Sequence, residues 1–99
     1  MPKLTGRVRY EALVAATARA IDAADPIGLL AMGAPEDEYS PEVGTIVPKV
    51  SRATSPAEVR QILHGEFVRW FGPELAGAQE EYDAPAQRIW EAVVQYRAR

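Results

Sequence analysis

Cysteine is absent from the 99 residues, and histidine occurs once, as His64. Without thiols there is no disulfide framework, no thiolate zinc site, no iron–sulfur cluster and no cysteine nucleophile. A single imidazole excludes a His–His metal pair and leaves any relay of nucleophile and base without a spare base. Long apolar runs are missing too. The longest uncharged stretch, Pro26 to Pro35, is ten residues broken by two glycines and two prolines, far short of a membrane span. The opening Met1–Arg7 lacks the apolar core of a secretory signal. These absences lead to the expectation of a cytoplasmic chain that does not engage membranes.

What is present is the composition of an ordinary globular domain, 47 % hydrophobic and 25 % charged. One domain over residues 1–99 is expected, with 1–6 as a flexible N-terminus. The net charge of −3 is unevenly spread. Residues 1–24 hold four bases and two acids, whereas residues 25–42 hold Asp25, Glu36, Asp37, Glu38 and Glu42 with no base. A concentrated negative field repels phosphate backbones and attracts basic surfaces, so nucleic acid is not the expected partner.

Periodicity predicts helices throughout. From Arg7 to Ala24 there is neither proline nor glycine, and Tyr10, Leu13, Val14, Thr17, Ile21 and Ala24 recur at spacings of three and four. Asp25-Pro26 ends that helix, because a residue before proline avoids helical dihedrals. Asp25-Pro26-Ile27-Gly28 then has the chemistry of a β-turn, its carboxylate suited to accept a backbone N–H two residues on. Leu29-Leu30-Ala31-Met32 reads as an irregular segment or single turn whose leucines plug the core.

Ser40-Pro41-Glu42 offers a cap, a first-position proline and a favourable charge for a second helix, 41–52. Val43, Ile46, Val47 and Val50 give that helix its face, and Pro48 is expected to bend or end it. Ser55-Pro56-Ala57-Glu58 is a capping box for a third helix, 56–71, which Gly72-Pro73 stops. A short turn is expected at Glu74–Ala76, and a last helix spans 85–97. The fold class is therefore all-α, a compact four-helix bundle-like domain with helices at about 7–24, 41–52, 56–71 and 85–97.

Chemistry-bearing residues are few. His64 lies mid-helix with no orienting partner in sequence and reads as a surface or boundary side chain. Glu36, Asp37 and Glu38, with Glu42 a turn later, lack the alternating oxygens, sharp-turn glycine and terminal glutamate of a calcium loop. They read as a solvated loop or as a contact patch for a basic protein, with Tyr39 as its aromatic anchor. Asp25, Pro26 and Gly28 structure the root of that loop. Gly28 to Gly33 lacks the Lys-Ser/Thr that a phosphate loop needs. No catalytic residue, metal site or cofactor is assigned.

The turn Asp25-Pro26-Ile27-Gly28, the aromatic and acid opening the next helix (Tyr39, Glu42) and the aromatic helix end Phe67-Val68-Arg69-Trp70-Phe71 carry a resemblance. Through them, Ile21 to Tyr96 resembles the YugE-like family of short, all-helical bacterial proteins of unknown function. That resemblance implies a small helical bundle and transfers no catalytic residue. Small acidic helical chains also occur as immunity proteins and antitoxins, an analogy of class.

The leading expectation is a non-enzymatic binding protein, in the manner of an immunity or antitoxin-like inhibitor. It would meet a basic protein partner through Glu36, Asp37, Glu38, Tyr39 and Glu42. Two other readings stand beside it: a homo-oligomeric scaffold packing through Leu29, Leu30 and Met32, and a carboxylate-based metal protein or enzyme.

Overall fold

The computed structural model describes residues 6–35 and 38–98. The expected flexible segment at 1–6 lies outside them, apart from Gly6, which opens the first helix. Among the described residues five α-helices follow one another, α1 (Gly6–Ala24), α2 (Ser40–Val50), α3 (Pro56–Phe71), α4 (Pro73–Ala76) and α5 (Asp83–Arg97). A 3₁₀ turn, Gln79–Tyr82, precedes α5, and no strand occurs among the described residues. The four long helices are those the periodicity predicts, so the chain is an all-α, bundle-like domain.

The ends reveal how each helix is specified. For α3, Ser55 is extended at the cap position and its Oγ accepts the Glu58 N–H at 3.1 Å. The reciprocal half of the box reaches one residue further back, where the Glu58 carboxylate accepts the N–H and hydroxyl of Thr54. Gly72, at φ 85°, ends the helix in a conformation that side chains rarely adopt. For α2 the expected serine cap is corrected. Ser40 is already helical, Tyr39 takes the cap position, and no side chain caps the end. Pro48 sits inside α2 without stopping it at once. The helix runs two residues further, and three-residue turns then carry the chain through Arg52 and Ala53. Helix α5 starts two residues before the expected proline, which is tolerated because first-turn N–H groups need no helical acceptor.

Packing follows the apolar stripes. Helices α1 and α5 lie against one another, α3 packs on α5 and α2, and α2 also touches α1. Contacts of early α1 with late α5, and of late α1 with early α5, make that pair antiparallel. Leu13, Ile21, Ile46, Val50, Leu63, Phe67, Ile89 and Val93 fill the centre. The Cα radius of gyration, 13.4 Å, matches a close-packed chain of this length. Leu29 and Leu30 are half-buried against the core, as the plug reading expects, whereas Met32 is 74 % exposed.

Candidate functional site

The loop joining α1 to α2 is built from Asp25. Its N–H completes α1 by donating to Ile21 O at 2.7 Å. Asp25 then turns to φ 44°, the only non-glycine residue at positive φ among those described. Left-handed backbone is costly for a residue with a Cβ, and Asp tolerates it best when its side chain makes local hydrogen bonds. Gly28 N donates to Asp25 O at 2.9 Å, closing the expected turn, and Gly28 itself sits at φ 80°.

The Asp25 carboxylate does not take the N–H two residues on. It accepts Leu30 N at 3.1 Å and Ala31 N at 2.9 Å, together with the Tyr39 hydroxyl at 2.6 Å. That hydroxyl in turn accepts the Ile27 N–H at 3.2 Å and the Leu29 N–H at 3.4 Å. Four loop amides are thus gathered by two side chains fourteen residues apart, one at each end of the loop. Burial opposes ionisation of Asp25, but the hydrogen bonds from Tyr39, Leu30 and Ala31 outweigh it and hold its carboxyl below the usual value. Burial and the Asp25 carboxylate push the Tyr39 phenol up to about 12.

Tyr39 is only 1 % exposed and its ring meets Phe67 edge-on at 5.8 Å. Phe67 also packs on Phe71 and Tyr82, and Tyr82 on His64, so a file of rings ties the clasp into α3. At its far end His64 Nε2 lies 2.9 Å from Gly77 O; since a carbonyl only accepts, that nitrogen carries the proton. The boundary reading of His64 agrees with its half-buried position.

Two members of the expected contact patch are corrected by these positions. Tyr39 is a core residue, because its hydroxyl is consumed within the loop and its ring within the bundle. Glu42 is 5 % exposed, with Oε2 unpartnered. Burial, and then the nearby Glu38 carboxylate, push the Glu42 carboxyl above the usual range. Neither side chain presents a surface to a partner. Glu38 is exposed, its N–H closing a turn onto Pro35 O at 3.1 Å. Glu36 and Asp37 lie outside the described residues.

Glu66 is a site the sequence reading passed over. It is buried, pairs with Lys49 of α2, and lies 3.8 Å from Arg69. Its place among Val59, Ile62, Leu63 and Phe67 on one helical face was the available signal, since periodicity puts it in the stripe regardless of charge. Among the described residues no group of three or more His, Asp or Glu side chains is arranged to hold a metal ion. No helix among them is long and apolar enough to cross a membrane.

No protein-family model matches the chain, and no curated protein or solved structure does. Fold and site together define an all-α domain whose α1–α2 loop is pinned by the Asp25–Tyr39 hydrogen bond, with Glu38 exposed beside it.

Proposed function

We propose that this protein is a non-enzymatic binding domain that presents the acidic α1–α2 loop to a basic partner protein, as immunity proteins and antitoxin-type inhibitors do. The observation that carries the reading is the Asp25–Tyr39 clasp. It fixes the base of a loop whose following residues, Glu36, Asp37 and Glu38, are all acidic, in a stretch from Ala20 to Pro48 without a single lysine or arginine. A loop held at both ends loses less entropy on binding than a free one, and a run of acidic residues steers a basic surface toward it. In this reading Glu36, Asp37 and Glu38 make the contact, while Asp25, Pro26, Gly28 and Tyr39 hold the loop in shape.

The test compares wild type with a Glu36→Lys/Asp37→Lys/Glu38→Lys variant as bait in native lysate. A basic protein retained only by wild type, with an affinity that falls steeply as salt rises, supports the proposal. Equal capture by both baits removes the loop from the mechanism.

The exposure of Met32 favours a second reading, a homo-oligomer assembled through Leu29, Leu30 and Met32. Sedimentation mass across a wide concentration range decides it. A constant monomer mass eliminates the oligomer, and a concentration-dependent mass abolished by Met32→Glu supports it.

A further inference from the structure

On the outer side of the α1–α5 pair lies a groove of about 210 Å³. Between its ends the groove is lined by the methyl groups of Ala12 and Ala16 of α1 and Ala92 of α5 over buried Leu13, with Gln95 and Tyr96 beside them. Arg9 and Arg19 rise from its α1 edge, and among the described residues no acidic side chain lines it. The arginines are ten positions apart on α1, about 15 Å of helical rise. Arg9 is held in place: its guanidinium donates to the carbonyl oxygens of Tyr96 and Ala98 at the end of α5 and lies 5.8 Å from the centre of the Tyr96 ring. Arg19 is exposed at the other end.

We infer that this groove docks an acidic amphipathic helix from a partner protein, one with aliphatic side chains in the middle of a face and a carboxylate toward each end. The charge around the groove argues for this occupant over two others. A second copy related by a two-fold axis would set the arginine edge against itself, which like-charge repulsion opposes. Nucleic acid would meet two cations on a chain of net charge −3, over a floor of alanine methyls that offers phosphates nothing. An acidic helix satisfies both features, because its aliphatic side chains cover the methyl floor and its carboxylates reach the two guanidinium groups.

The experiment uses the full chain labelled with ¹⁵N. The probe is an alanine-based helical peptide with leucines midway along one face and a glutamate toward each end of that face. A matched peptide carries lysine for each glutamate. The expected result is saturable movement of the Ala12, Ala16 and Ala92 amide signals with the glutamate peptide and none with the lysine peptide. Arg19→Glu, at an exposed position, should weaken binding about tenfold, and Ala12→Leu should weaken it by filling the floor. The Glu36→Lys/Asp37→Lys/Glu38→Lys variant should bind the peptide unchanged, which separates this site from the acidic loop. Equal binding of both peptides, or no shifts at millimolar glutamate peptide, would overturn the inference. So would displacement of the peptide by a DNA duplex, or movement of the same amides with protein concentration alone.

Discussion

At Asp25 a strained backbone and a saturated carboxylate coincide. Left-handed dihedrals at a non-glycine residue persist only where surrounding contacts over-determine them, and here three hydrogen bonds to one carboxylate do so. The Asp25-Pro26-Gly28 turn was legible because its chemistry is local. The role of Tyr39 was not, because its partner is fourteen residues away and a tyrosine beside acids reads as readily as a surface anchor. Tyr39→Phe keeps the ring on Phe67 and removes the hydroxyl that serves Asp25, Ile27 and Leu29. The expected cost is about 1–3 kcal/mol, the penalty for leaving such groups unmade. Urea denaturation measures it, and amide exchange should quicken at Ile27 and Leu29 while remaining slow at Leu63.

Among the elements, legibility followed whether the stop and start signals were backbone chemistry. Helix α3 has a serine, a proline and a glycine at its boundaries and was placed to the residue. Helix α2 has a serine as well, but Tyr39 is drawn inward by Asp25 and takes the cap position, leaving Ser40 within the first turn. The same local pattern therefore gives a cap in one helix and none in the other, and tertiary contact decides which. Ser55→Ala should destabilise the fold by about 1 kcal/mol, whereas Ser40→Ala should change it by no more than a few tenths. Thermal unfolding of the two variants side by side checks the contrast; equal losses would mean that Ser40 also caps.

For the whole molecule, carboxyls held by hydrogen bonds or by burial make the pH response. Asp25 and Glu66 sit below their ordinary values of 3.8 and 4.5, so the stability they contribute is present above those values and is lost as pH falls through their depressed ones. For Glu66, burial pulls the other way and is outweighed by Lys49 and Thr45. Glu42 has the opposite sign. Its raised folded value means that its contribution is fully present below 4.5 and is lost as pH rises through that raised value. Stability should therefore increase as pH is lowered from 7 through the raised value of Glu42 to 4.5, then fall below about pH 4. Glu42→Gln should flatten the upper limb and leave the acid limb in place. Urea midpoints between pH 3 and pH 8 would reveal both limbs.

The acidic segment itself divides at this scale, and sequence gave no means of dividing it. Glu38 and Glu42 are four positions apart, both acidic, with Tyr39 between them. Yet the chain turns at Glu38, leaving it exposed, and then enters α2, which carries Glu42 into the interior. Glu38→Lys should alter stability by less than about 0.5 kcal/mol, as surface changes do. It also replaces the negative neighbour that disfavours ionisation of Glu42 with a positive one, which should bring the Glu42 carboxyl down toward its ordinary value, shifting the upper limb to lower pH and making it shallower. Glu42→Lys buries an ammonium where an unpartnered carboxyl now sits, and should cost about 3–5 kcal/mol. Two charge reversals four residues apart would thus separate recognition from folding. If the partner protein is lost with Glu38→Lys while the urea midpoint stays put, the acidic segment acts in binding. If the midpoint falls as far as it does with Glu42→Lys, Glu38 is part of the fold and the docking role passes elsewhere.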